Sequence, residues 1–149
     1  MSFCPGLPKC WSYGYIVIHN KASRAWVVRR STDGGATWQT VETFQLSSGK
    51  TAEASGIGTD ALGNLYVVGY AWTPSGSLNA VHWMVRKSTN GGTSFSTVDD
   101  FGTTSSAQRF VATPSGDLYV AGFTSTATGN HWIVRKNPGG TGTWSTIDD

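Results

Sequence analysis

Apolar and polar positions along this chain fall into short blocks, each closed by Gly, Asn, Asp or Pro. Leu65-Tyr66-Val67-Val68-Gly69-Tyr70 and Leu118-Tyr119-Val120-Ala121-Gly122-Phe123 are near-continuous apolar runs, the pattern of strands buried on both faces. Residues 54–60 and 108–113 read as small-residue strands preceding them. A third kind of block is written three times: Trp26-Val27-Val28-Arg29-Arg30, Trp83-Met84-Val85-Arg86-Lys87 and Trp132-Ile133-Val134-Arg135-Lys136. Twelve residues after each Trp stands a second aromatic, Trp38, Phe95 or Trp144, opening a fourth block. Aromatic and β-branched residues bounded by turn formers are the signature of strands, and no window carries a helical period.

The four blocks recur in one order. In the middle copy they are residues 54–60, 65–70, the Trp83 strand and the strand from Phe95 to Phe101. In the first copy, Tyr15-Ile16-Val17-Ile18 stands where residues 65–70 stand. Its first strand is expected within residues 2–10, where Pro5 and Pro8 make it irregular. The repeat divides the chain approximately into residues 1–46, 47–101 and 102–149. Four-stranded antiparallel units of this length, stacked radially, make a β-propeller. The expected fold is therefore all-β, with three four-stranded blades per chain.

The turn between the third and fourth blocks carries a motif. Ser31-Thr32-Asp33-Gly34-Gly35-Ala36-Thr37-Trp38 fits Ser-x-Asp-x-Gly-x-Thr-Trp at every defined position. Ser88, Asn90, Gly92 and Phe95 repeat it in softened form, and residues 137–144 keep its spacing and Trp144 but not its carboxylate. This resembles the Asp-box, or bacterial neuraminidase repeat, of sialidases and other propellers. The resemblance implies a structural turn on the propeller's periphery. Asp33 accepts hydrogen bonds from its own turn, Gly35 supplies positive φ, Thr37 pins the far side and Trp38 tucks beneath. Calcium binding at Asp33 would require more oxygen ligands than the turn offers, so no metal and no cofactor is expected.

Composition adds mainly exclusions. There are 19 Gly and 7 Trp, and only 13% of residues are charged, unlike a helical repeat protein. A net charge of +2 with dispersed Arg and Lys gives no support to nucleic-acid binding. No apolar run approaches transmembrane length, so no membrane partner is expected. The N-terminal segment lacks the basic start and apolar stretch of a signal peptide, although the resembling family is often secreted or cell-surface. Cys4 and Cys10 have no His partner at metal spacing and are read as two reduced thiols, with a disulfide as the alternative.

The resemblance makes glycoside hydrolysis the first enzyme hypothesis. A sialidase-like site implies three Arg gripping a carboxylate, a Tyr nucleophile with a Glu partner, and an Asp acid. The inner strands offer only Asp60 and Arg109, and Glu42 and Glu53 pair with no other carboxylate at inferable spacing. Arg29, Arg86 and Arg135 occupy one repeat position each, which points to blade-to-blade pairing with the repeated acids Glu42, Asp99 and Asp148. His19, His82 and His131 are too scattered for a metal or nucleophile site. The expectation is accordingly that the chain is not an enzyme.

Length differences between copies say where a ligand belongs. The interval from Trp26 to Trp83 exceeds that from Trp83 to Trp132, and the excess lies in residues 45–53 and 71–82. In a propeller both segments emerge on one face, and insertions on one face mark a binding face. Trp72, Asn79, His82 and Lys50 are the candidate ligand-binding residues there, since a non-repeated Trp among small polar groups suits a sugar. Loop packing is the competing reading for Trp72.

Three blades leave two blade faces bare, and closed propellers have four or more blades. Either the chain is a piece of a larger product or copies of it assemble, and its start and stop near unit boundaries favour assembly. Two chains would make a six-bladed ring, and a non-closing contact would make an open filament. The expected function is a non-enzymatic, self-assembling Asp-box module that binds carbohydrate or a partner through its long-loop face. The alternatives are a vestigial or fragmentary sialidase-like hydrolase and a purely structural assembly protein.

Overall fold

The computed structural model describes residues 14–20, 24–75 and 78–149, with the side chains of residues 14–20, 75–79 and 103 left aside. Eleven strands are described: β1 (Gly14–Asn20), β2 (Ala25–Ser31), β3 (Gln39–Phe44), β4 (Ala52–Thr59), β5 (Leu65–Ser75), β6 (Leu78–Ser88), β7 (Ser96–Thr103), β8 (Ser105–Ala112), β9 (Leu118–Thr126), β10 (Gly129–Asn137) and β11 (Ser145–Asp148). They form three antiparallel sheets, ordered β1-β2-β3, β4-β5-β6-β7 and β8-β9-β10-β11. The second and third sheets have the four strands expected from the repeat. The strand expected within residues 2–10, and Cys4 and Cys10, lie outside the described residues. One short 3-10 turn, Pro138–Gly140, is the only helical element among the described residues.

The core lies in the seams between sheets. Trp26 and Val28 of the first sheet pack on Ala52, Val67, Ala71 and Met84 of the second. Tyr66, Val68, Trp83 and Val85 of the second pack on Ala107, Leu118, Val120 and Ile133 of the third. Alternation along each strand produces this division: in β6, Trp83 and Val85 face forward while Met84 faces back.

Two repeated bulges shape every four-stranded sheet. Between β4 and β5 the register skips Ser55, and between β8 and β9 it skips Gln108. Gly69 and Gly122 sit opposite these bulges. A Cβ on Gly122 would lie 2.1 Å from the Ser106 carbonyl oxygen and 2.5 Å from the Trp83 ring, so a hydrogen is required there. The other bulge falls on the outer strand at Val41, Val98 and Ile147, each time beside the repeated Arg. It sets Glu42, Asp99 and Asp148 in one register, opposite Val28, Val85 and Val134.

The segment of residues 71–82, read from sequence as a loop, is mostly strand. β5 and β6 run on as a two-stranded ribbon in which Trp72 pairs with Val81 and Pro74 with Asn79. Pro74 is tolerated because β4 stops pairing at Ala71, so the missing N–H removes no bond to a second neighbour. The added length therefore makes the ribbon project beyond β9–β10.

Candidate functional site

The 31–38 turn is closed by side-chain bonds. Ser31 Oγ donates to Asp33 Oδ1 at 2.7 Å and accepts from the Gly35 N–H at 2.8 Å. Asp33 Oδ1 accepts from the Thr37 N–H at 2.9 Å, Asp33 Oδ2 accepts from the Thr37 hydroxyl, and Trp38 Nε1 donates to the Gly35 carbonyl at 3.1 Å. The Thr37 hydroxyl and N–H, then the Ser31 hydroxyl, bring the Asp33 pKa down to about 2. In the second turn Ser88, Asn90, Gly92 and Ser94 repeat the pattern with an amide. Phe95 has no ring N–H to offer; its carbonyl accepts from Arg86 at 3.1 Å, as that of Trp38 does from Arg29 at 2.6 Å. The third turn is rebuilt. Asn137 exchanges two bonds with Gly142, Asp117 accepts from the Gly139 N–H, and Trp144 is buried in the seam.

The repeated Arg residues cross the seams. Arg86 of β6 holds Glu42 of β3 through Nε at 2.8 Å and Nη2 at 2.6 Å, both on Oε1. Arg135 of β10 holds Asp99 of β7 through two separate oxygens, at 2.7 and 2.8 Å. Each guanidinium also lies 4.1 Å from an aromatic centroid of the preceding sheet, Phe44 or Phe101. These two pairs occupy the places that sequence reasoning gave them.

Asp60 and Arg109, the charged residues of the inner strands, are engaged locally. Burial pushes the Asp60 carboxyl up, but bonds from Asn64, Leu62 and Tyr66 outweigh it and leave its pKa lowered. Arg109 donates to the carbonyls of Ser55 and Gln108.

A groove of about 440 Å³ opens on the long-loop face between the second and third sheets. Its aromatic walls are Tyr70 and Trp72 of β5 and Phe123 of β9, with Val81 of β6 beside them. Thr104, Ser105, Ser106, Gln108 and Ser125 supply polar groups, and no lining residue is charged. The bulge carries Gln108 to the groove, where its amide donates to Ser106 Oγ at 2.8 Å. Thr104 has φ 77°, an unfavourable conformation for a β-branched residue, and is held by paired backbone and hydroxyl bonds to Ser125 at 2.8 Å. The Trp72 indole Nε1 is buried without a hydrogen-bond partner among the described residues. At the groove's edge the Tyr70 phenol donates to Glu53 at 3.0 Å, and burial together with that carboxylate raises its pKa to about 12.

Of the candidate ligand residues, Trp72 lines this groove. His82 does not; it lies between Asp100, at 2.8 Å from Nδ1, and Thr73, at 3.0 Å from Nε2. Lys50 sits in the 45–51 loop, whose carbonyls accept from Gln45 and, through Thr51, from the Trp72 N–H. The Asn79 side chain lies outside the described residues. Tyr70, Phe123, Gln108 and the 104–106 segment were not anticipated. The apolar runs containing Tyr70 and Phe123 signalled burial, and no periodicity reveals that two neighbouring strands end at one opening. No group of three metal-ligating side chains occurs among the described residues.

Sheet order, seam packing and repeated bulges define the class as a β-propeller. A family described as beta-propeller repeat matches residues 45–74. No curated protein sequence matches the chain. Among solved structures, the Penicillium chrysogenum alpha-L-arabinanase in complex with arabinobiose is 13% identical with a TM-score of 0.64, over 92% of this chain and 46% of that one. The GH93 alpha-L-arabinofuranosidase of Fusarium graminearum with arabinobiose is 12% identical with a TM-score of 0.58, over 84% and 40%. A Dyadobacter fermentans protein of unknown function is 18% identical with a TM-score of 0.63, over 89% and 44%. The chain thus spans less than half the length of these proteins, and the likeness is one of fold.

These likenesses correct the expectation that the chain is not an enzyme, since its fold is shared with arabinanase and arabinofuranosidase enzymes. That expectation rested on a missing arginine cluster and missing paired carboxylates of sialidase type. An arabinosyl sugar has no carboxylate to be gripped, so the lack of three convergent Arg excludes nothing for such substrates.

Proposed function

We propose that this chain is half of a six-bladed propeller and that the groove between its second and third blades binds a neutral oligosaccharide. The carrying observation is the groove itself: three aromatic side chains face a row of hydroxyl and amide groups with no charged side chain among them. Sugar rings present apolar C–H faces to aromatics and hydroxyls to small polar groups. An acidic sugar would leave its carboxylate without a cation, which disfavours sialosides. The arabinobiose bound to two proteins of similar fold makes pentose oligosaccharides the first ligands to test. The bonding of the 31–38 turn supports kinship with Asp-box propellers.

Calorimetric titration with arabino-oligosaccharides and with sialyllactose tests this reading. Binding of the neutral sugars that Trp72→Ala abolishes is expected; preferential binding of sialyllactose would overturn it. Following the same mixtures for released reducing sugar reads whether the bound glycan is turned over.

A further inference from the structure

The seam between the second and third blades opens at both ends. At the end away from the long-loop groove lies a cavity of about 360 Å³, lined by Tyr66, Lys87, Val98, Trp144 and the rebuilt third turn. No lining residue is acidic. The bulge of β7 falls at Val98, as the bulge of β8 falls at Gln108 in the groove.

The repeat supplies its own comparison for the one cation in this cavity. Lys87 and Lys136 hold the same position in two blades, and each ammonium lies 5.3 Å from the ring centroid of a tyrosine in its own sheet, Tyr66 or Tyr119. Lys136 is neutralised by Asp117 at 2.7 Å. Where the third blade has Asp117 the second has Asn64, and the acid of that turn stands instead at Asp60. Asp60 is spent on its surroundings: it accepts from the N–H groups of Leu62 and Asn64, from the Asn64 side-chain amide and from the Tyr66 hydroxyl. Lys87 is left with no ion pair among the described residues.

The free polar groups around Lys87 are donors as well. Trp38 Nε1 is used within the first turn, whereas its counterpart Trp144 Nε1 bonds to nothing among the described residues. The Thr141 hydroxyl is also free there, while the Asn137 amide spends its oxygen and its nitrogen on Gly142. The cavity thus sets an ammonium, an indole N–H and a hydroxyl against an aromatic and aliphatic wall.

We propose that this cavity is a second ligand site, for a small organic carboxylate whose charged end sits on Lys87 and whose body lies against Trp144 and Val98. Charged donors bind carboxylate oxygens more strongly than neutral ones. One ammonium balances one negative charge, which fits a carboxylate better than a phosphate group of charge near −2. The site shares no lining residue with the groove and does not depend on it.

The test is calorimetric titration at low salt with glucuronate and benzoate, each beside its neutral counterpart, glucose or benzamide. At least one acid is expected to bind the wild type more than about tenfold more tightly than its neutral counterpart, and which one binds separates a sugar acid from an aromatic acid. Lys87→Met should weaken that binding by more than about tenfold, and Lys136→Met and Trp72→Ala should leave it unchanged. In proton–nitrogen NMR spectra of the wild type, the Trp144 indole signal, assigned through Trp144→Phe, should move as the acid is added. These spectra keep the test independent of whether a variant folds. Failure of both acids to bind, equal binding of the neutral compounds, an unmoved Trp144 signal with acid bound, or an equal loss in Lys136→Met or Trp72→Ala would each overturn the proposal. Binding that survives in a folded Lys87→Met protein would overturn it too.

Discussion

Arg135 grips Asp99 across the seam between the second and third blades through two parallel hydrogen bonds, and this occupies both carboxylate oxygens. The homologous pair is arranged otherwise: Arg86 uses only one oxygen of Glu42, and the other accepts from Trp26 Nε1 at 3.1 Å. Asp99 is one methylene shorter with both oxygens on Arg135, and the equivalent Trp83 Nε1 is buried without a partner among the described residues.

Two substitutions at Asp99 should therefore move in opposite directions. Asp99→Asn leaves a buried guanidinium without its counter-charge and should destabilise by about 3–5 kcal/mol in urea unfolding. Asp99→Glu recreates the first seam, and the gained indole bond should keep stability at or up to about 1 kcal/mol above wild type. Equal losses for both would show that side-chain length, not pairing, governs the seam.

Gly122 should be irreplaceable where Gly63 is not. Gly122→Ala drives a methyl into the Ser106 carbonyl and the Trp83 ring, and a loss above about 3 kcal/mol is expected. Gly63→Ala meets nothing within 4 Å, and only its φ of +80° is unfavourable, so about 1–2 kcal/mol is expected. Thermal melts of the two proteins check the order.

The 31–38 turn should give the fold an acid-sensitive contribution. The Asp33 pKa lies at about 2, below its ordinary 3.8. A carboxylate depressed on folding contributes stability above its unfolded pKa and loses it as pH falls through the folded one. The melting-temperature gap between wild type and Asp33→Asn should be constant above about pH 5 and close progressively towards about pH 2. A gap independent of pH would remove the carboxylate from the account of the turn. Asn90→Asp, which gives the second turn the same acid, should create a second contribution of the same sign.

At the groove, Trp72→Ala should weaken neutral glycan binding by more than about tenfold, from lost stacking. Its melting temperature should change little, because Trp72 stands on a projecting ribbon outside the core clusters. Gln108→Ala should weaken binding less. A large stability loss at Trp72 would favour simple packing of the ribbon.

Most of the architecture was legible because the chain states it more than once. Three copies of the Trp-x-Val-Arg block fixed strand order, and Arg86 and Arg135 meet the acids that repetition assigned to them. The ribbon of β5 and β6 was misread as loop because Pro74 and Ser75 are turn formers by composition. Only the end of β4 at the level of Ala71 makes proline acceptable there. The groove was half legible. Trp72 stood out by breaking the repeat, whereas Tyr70, Phe123 and Gln108 follow it, and the bulge that aims Gln108 has no signature in one sequence. The residues of one glycosidase type are no guide to activity on a fold that arabinanase and arabinofuranosidase enzymes also use.

The most direct test of the glycan reading is a crystal structure of the protein soaked with arabinobiose or a longer neutral arabino-oligosaccharide. A sugar ring stacked on Trp72 in the groove between the second and third blades, with its hydroxyls meeting the polar groups of the 104–108 segment, is the predicted result. A sugar bound elsewhere on the molecule, with this groove filled only by solvent at saturating ligand, would contradict it.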